Sequence, residues 1–262
     1  MIELARRGLS DLGAALRLRS VWWALASEDV ADSHRRTVLG PVWPLLNYLL
    51  FVGTLILILG DGGGKAHFTS YVAAGMLVWL FINDTLSMSV SLFAREEGFI
   101  KGTVLPISLY VLRQTLVIAI RSFYALLGAI PVLLYGGMEL TPALLSVVPA
   151  IAVLLLTAPA VGVLLGIAAA YFPDLRFMVV NVTRLLMFLT PVFWMPAGAG
   201  GWRGALYHWN PLTHYIDIVR QPMIAGTIAW NSWAITLSIT ALLSVAALVM
   251  LGKFNRQIVF QL

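Results

Sequence analysis

Two charges stand inside apolar stretches of the sequence, Asp84 and Arg121. At mid-bilayer each would cost roughly 2.5–3.5 kcal/mol on insertion scales, so each needs a partner or a purpose. At ~1.5 Å per residue from the charged end of its stretch, Asp84 comes to a depth of roughly 14 Å, Arg113 to roughly 10 Å and Arg121 to roughly 22 Å. Asp84 then reaches either arginine from an adjacent antiparallel helix. Two chemistries fit: a polar, water-filled conduit through a helical bundle, or an ion pair closing a helix interface. Trp79 and Phe81 share the stretch with Asp84 and its neighbour Asn83. Aromatic faces beside polar groups suit sliding contact with sugar rings, whose C–H faces are apolar and whose rims are hydroxyls. Packing and lipid-facing aromatics satisfy the same pattern.

The remaining candidates for chemistry are weaker. Gly62-Gly63-Gly64-Lys65 has the outline of a phosphate-binding loop, but Leu59 stands where its first glycine belongs and Ala66 where a magnesium-holding Ser or Thr belongs. It reads as a turn, so no ATP site of the chain's own is expected. His208 and His214 are six residues apart, the wrong spacing for a helical metal pair, and read as interfacial polar residues. No Gly-x-Ser-x-Gly elbow accompanies the Ser, His and Asp residues, and with no Cys there is no thiol catalysis or thiolate metal site.

The elements that must position these residues are set by composition. Charged residues are 11% of 262, apolar residues 60%, and the mean hydropathy is +0.89. A water-soluble domain carries about 25% charge, so the solvent for most of this chain is lipid. That excludes a cytosolic enzyme, a secreted disulfide scaffold and a disordered tail. The net charge of +5 is first a matter of topology and not of nucleic acid.

Six stretches are long and apolar enough for a core of ~30 Å: about 38–60, 69–94, 105–135, 142–171, 177–195 and 228–252. Turn residues separate them, including Asp61-Gly62, Gly136-Gly137 and Phe172-Pro173-Asp174. With six spans the six N-terminal arginines, Arg95, Lys101, Arg113, Arg176, Arg184, Lys253 and Arg256 fall on one side. Only Lys65, Arg203 and Arg220 fall on the other, which places both termini in the cytoplasm. Residues 1–37 lack the apolar region of a signal peptide. Leu9, Leu12 and Leu16, followed by Trp22 and Trp23, predict an amphipathic helix lying at the membrane surface.

Two segments that do not span look built for contact. The cytoplasmic run 91–102 mixes charge (Arg95, Glu96, Glu97, Lys101) with Phe99 and Ile100, which are expected to be exposed as a docking surface. The outer segment 196–229 carries Trp202, Trp209, His214 and Arg220, and its Asn210-Pro211 is a helix N-cap followed by Pro at the first position. One or two partial helices dipping in from outside are expected there.

Arg35-Arg36-Thr37-Val38-Leu39-Gly40-Pro41-Val42-Trp43-Pro44-Leu45-Leu46 resembles the entry to the first span of ABC-2 type permeases that export polysaccharides. Asn210-Pro211-Leu212-Thr213 with Arg220 resembles that family's segment before the last span, and Phe172-Pro173-Asp174 and Thr190-Pro191-Val192-Phe193 fall where similar motifs do. The resemblance covers nearly the whole chain and rests on order and spacing. It implies an all-α membrane protein forming one ABC-2 type transmembrane domain over 1–262: a cytoplasmic interfacial segment 1–37, a six-span region 38–252 and a cytoplasmic tail 253–262. The implied working unit has two copies of this chain and two ABC ATPase subunits in a bacterial cytoplasmic (inner) membrane. ATP and magnesium would be bound by the ATPases and no cofactor by this chain, which would not itself be an enzyme. Arg95, Glu96, Glu97, Phe99, Ile100 and Lys101 would form the coupling helix, and Trp202, Trp209, Asn210, Pro211, His214 and Arg220 the outer gate. The cargo implied is a lipid-linked, O-antigen-like polysaccharide, with Trp79, Phe81, Asp84 and Arg121 as channel candidates. Alternatives are capsule, teichoic acid or small-molecule export by the same fold, and a membrane-embedded glycosyl- or acyltransferase.

Overall fold

Long apolar runs without strand-type alternation fold here into helices, and no strand occurs among the described residues. The computed structural model describes residues 2–32, 39–59, 65–195, 201–255 and 257–258. Arg35-Arg36-Thr37-Val38, the glycine turn 61–64, the run 196–200, Arg256 and residues 259–262 lie outside them, as do the side chains of Pro41, Lys65 and Ala66. The N-terminal amphipathic segment forms two helices, α1 (Ile2–Arg17) and α2 (Arg19–Asp32), broken at Leu18. There follow α3 (Trp43–Leu59), α4 (Lys65–Ser89), the short α5 (Leu92–Arg95) and α6 (Glu97–Gly102), α7 (Ile107–Tyr135), α8 (Val147–Tyr171), α9 (Leu175–Leu189), α10 (Gly201–Trp209), α11 (Pro211–Ile224) and α12 (Trp230–Phe254).

Each of the six apolar stretches holds one helix, but their ends differ. α4 stops at Ser89, five residues early, where the Ser91 N–H bonds to the Met88 carbonyl and the chain turns into α5. α9 stops at Leu189 because Thr190 turns extended (φ −93°, ψ 137°) ahead of Pro191, whose ring disfavours helix in the residue before it. Four helices are long and apolar enough to cross a membrane: 67–89, 107–135, 142–171 and 230–254. α3 has 17 residues and α9 has 15, or about 26 and 22 Å of helix.

α4 is the hub. Val72, Ala73, Ala74, Met76 and Trp79 are each at most 2% exposed, packed among α3, α7, α8, α9 and α11. Small residues set the crossings, since without a hydrophobic drive between helices in lipid close backbone approach supplies the attraction. A Cβ at Gly75 would stand 2.7 Å from the Val192 carbonyl oxygen, and one at Gly166 would stand 2.9 Å from the Phe93 ring. α1 packs along the end of α12 through Gly8, against the Leu248 carbonyl, and Gly252, against that of Leu4. Leu9 and Leu16 stay half-exposed on the opposite side of α1, so its two faces serve protein and surroundings respectively. Asp11 ties this corner together: its carboxylate accepts from the Ser108 N–H and from Asn255 Nδ2, both at 2.9 Å.

Exposed apolar side chains cover the outside of the bundle, among them Leu50, Leu57, Leu156, Leu185 and Leu242. Such a continuous apolar exterior belongs in hydrocarbon, which fits a multi-pass membrane protein.

Candidate functional site

Polar side chains inside this bundle gather in three places. The first is where α2, α5, α6 and α7 meet. Arg113, on α7, is 9% exposed and donates to two elements at once. Its Nε and Nη2 bond to both oxygens of Asp29 on α2 at 2.6 Å, and Nη1 bonds to Glu96, between α5 and α6, at 2.7 Å. Arg95 reaches the other oxygen of Glu96 at 3.5 Å and Gln114 at 3.3 Å, and Gln114 donates to Ser89 at the end of α4. One guanidinium fork therefore holds α2, the α5–α6 segment and the long α7 in register.

Beyond this clamp α6 projects. Glu97 and Lys101 pair at 2.7 Å on its open face, Phe99 is 49% exposed, and Val104 is fully exposed. Ile100, expected beside Phe99 at the surface, is instead 5% exposed and packs with Leu92, Phe93, Tyr110 and Ile258. The chain bends at Glu96 between α5 and α6, and that bend turns Ile100 inward. The exposed side chains at this corner are those of Phe99, Lys101 and Val104.

The second place holds Asp84 and Arg121. Asp84 does not pair with Arg113, which is taken by Asp29 and Glu96, and among the described residues no ion pair within 4 Å joins it to Arg121, although the Arg121 charge acts on it. They face one open cavity of about 410 Å³, with Trp43, Asn47 and Ser122 in its walls. Arg121 also lines a second cavity of about 240 Å³ that runs down to Asp29, Arg95 and Gln114. The first two turns of α7 are occupied by α1, α2 and α5, and Gly128 of α7 packs on Leu45 and Tyr48 of α3. Arg121, about 12 Å past Arg113 along α7, shares its cavity with Trp43, Pro44 and Asn47 at the start of α3. Phe81 lines a separate apolar cavity of about 290 Å³ on the far side of Ser122, and Trp79 is buried in the helix core behind it.

The third place surrounds α11. Residues Thr213 to Arg220 are buried without a break, so this 14-residue helix is enclosed on every side. Each of its polar groups therefore needs a partner. Asn210 caps it, accepting from the Leu212 N–H at 3.0 Å and donating to Thr190 at 2.8 Å. Arg220 pairs with Asp217 at 2.6 Å, donates to the Pro191 carbonyl at 2.6 Å and stacks 4.0 Å from the Tyr71 ring centroid. Tyr207 of α10 donates to Asp217 at 2.5 Å, and burial followed by that carboxylate pushes the phenol well above its ordinary range. His214 lies between Ser232 at 3.0 Å and the His208 carbonyl at 3.2 Å, a role in packing and not in metal binding. Trp202 and Trp209 are exposed. Sequence reading missed Asp29, Val104, Tyr71, Tyr207 and Asp217. Only Asp217 left a local signal, three residues before Arg220 on one helix.

A family model described as ABC-2 type transporter matches residues 20–224, from the start of α2 to the end of α11, and contains all three constellations apart from Ser232. No curated protein matches the chain.

Proposed function

The chain belongs to the ABC-2 type transporter family, and on that premise we propose that it is the permease subunit of an ATP-driven exporter moving a lipid-linked cell-envelope polysaccharide outward across a bacterial inner membrane. The observation that carries this reading is the Arg113 clamp with its projecting tip. An exposed Phe99, Lys101 and Val104 offer an apolar and charged contact to a soluble partner. The Glu96 behind them is tied through Arg113 to α2 and the long α7. A push on the tip is delivered directly to a helix that crosses the membrane. In this reading α5 and α6 are the coupling segment, each of two ABC ATPases supplies ATP and magnesium, and this chain binds neither.

All six apolar helices then cross, with α3 and α9 as the two short spans, α1 and α2 at the cytoplasmic surface and both termini cytoplasmic. The whole chain, 1–262, forms one membrane domain. α10 and α11 enter from outside as gate helices, held closed by the Asp217–Arg220 pair against Pro191.

A second copy completes the path. Arg184 lies ten residues into the 15-residue α9, exposed and without a partner among the described residues. A lone cation facing lipid is costly, so this face of α9 meets the other copy across a polar path. Asp84 and Arg121 face an open groove at the entrance of that path, Phe81 faces the neighbouring apolar cavity, and Trp79 backs the wall. Affinity purification of the tagged chain in mild detergent tests the reading. An ATP-binding subunit in equal stoichiometry, with ATPase activity stimulated by lipid-linked glycan, is expected. A lone chain under conditions that preserve membrane complexes overturns it.

A further inference from the structure

The cavity between α3, α4 and α7 has a composition that a mere packing defect would not have. Arg121 makes one weak hydrogen bond among the described residues, Nη1 to Met88 Sδ at 3.9 Å, and its charge acts on Asp84 across the cavity, so its remaining N–H groups are open to a ligand. That fork matches the oxygens of a phosphate. Asp84, an acceptor only, faces the same space and suits sugar hydroxyls while repelling a second anion. Asn47 both donates and accepts, and Trp43, 42% exposed at the rim, presents an apolar ring face.

Depth selects the kind of molecule. Arg121 shares its cavity with Trp43 at the start of α3, a part-exposed indole of the kind that sits between headgroups and hydrocarbon. A volume of about 410 Å³ is within the range of small-molecule sites. Ser122 is a wall shared with the apolar cavity of about 290 Å³, and Phe123 and Ile151 leave that second cavity open to the lipid-facing surface. A polar chamber lined by Arg121, Asp84 and the Trp43 indole thus adjoins an apolar slot.

We propose that this groove binds the glycosyl phosphate end of a membrane lipid, with Arg121 on the phosphate, Asp84 and Asn47 on the first sugar's hydroxyls, and the tail running past Ser122 into the apolar slot. The site rests on the exporter reading above and adds where cargo is first held. It is distinct from the outer gate around α11 and from the ATPase-facing tip. The second cavity, which Arg121 shares with Asp29 and Arg95, connects it to the clamp, so cargo and coupling segment meet at one arginine.

The test uses the purified full chain in phosphatidylcholine nanodiscs, titrated with glucosyl farnesyl phosphate, farnesyl phosphate, farnesol and inorganic phosphate. The glucosylated phosphate is expected to bind most tightly, farnesyl phosphate less so, and the two partial probes not measurably. Arg121→Gln weakens both phosphorylated lipids by on the order of tenfold, and Arg121→Lys recovers part of the loss, as charge-assisted contacts require. Asp84→Asn removes the advantage of the glucosylated lipid over farnesyl phosphate and leaves the latter unchanged. Unaltered binding by a folded Arg121→Gln chain, or inorganic phosphate binding as well as the lipids, overturns the site and leaves the exporter reading standing. Failure of the native chain to bind any glycosylated lipid, while its ATPase still co-purifies, overturns the site together with the proposed cargo.

Discussion

Replacing Arg113 with Ala removes three short charge-assisted hydrogen bonds and leaves two carboxylates of unequal burial, Glu96 with only the 3.5 Å contact from Arg95 and Asp29 with solvent. The Glu96 side chain is 7% exposed and that of Asp29 is 36% exposed. Breaking a buried pair by deleting one partner costs about 3–5 kcal/mol, because the remaining charge stays desolvated. Asp29 keeps contact with solvent, which discounts its share to about 1 kcal/mol or less despite two bonds at 2.6 Å. Double-mutant cycles should therefore give a coupling of about 2–3 kcal/mol for Arg113 with Glu96 and about 1 kcal/mol for Arg113 with Asp29. The assay is reversible unfolding of the full chain in mixed micelles, run at low and high salt. Salt should erode the Asp29 term and spare the Glu96 term, since exposed pairs are screened and buried ones much less. Equal couplings, or an Asp29 term that resists salt, would refute the claim that burial at Glu96 fixes the coupling segment to the core.

Three further outcomes follow from the packing. Phe99→Asp removes a half-exposed ring 5.8 Å from the Arg113 guanidinium and should cost about 1 kcal/mol while abolishing ATPase capture, whereas Ile100→Asp buries a carboxylate and should cost about 3 kcal/mol or more; thermal melts and pull-downs on the two variants separate them, and matching behaviour contradicts the placement of Ile100. Gly252→Ala drives a Cβ into the Leu4 carbonyl and should loosen α1 by about 1–3 kcal/mol, read as faster amide exchange in residues 2–17, while Gly53→Ala, which meets open space, leaves it unchanged. Arg220→Leu strands Asp217 at 1% exposure and should cost about 3–5 kcal/mol in the same unfolding assay, whereas the reverse deletion in both partners, Asp217→Leu with Arg220→Leu, should recover much of that loss.

The six apolar helices were legible because hydrocarbon demands long unbroken apolar runs, and the N-cap at Asn210 was legible because its signal is local. Partnerships across the chain were not. Arg113 and Asp29 are 84 residues apart, and nothing in spacing says which of several carboxylates an arginine will meet. Ile100 misled for a related reason. An isoleucine on a charged loop reads as exposed, yet the bend at Glu96 decides which side of α6 faces Leu92 and Tyr110.

The claim on which the rest depends is that an ATP-driven partner grips the tip of α6. The chain contains no Cys, so Phe99→Cys and Trp202→Cys each install a single thiol, at opposite ends of the bundle. Cross-linking in native membranes, followed by identification of the attached protein, reads the contact directly. The account predicts an ATP-binding subunit attached through position 99 and none through position 202. Attachment through 202 and not 99, or through neither while the ATPase still co-purifies, contradicts it.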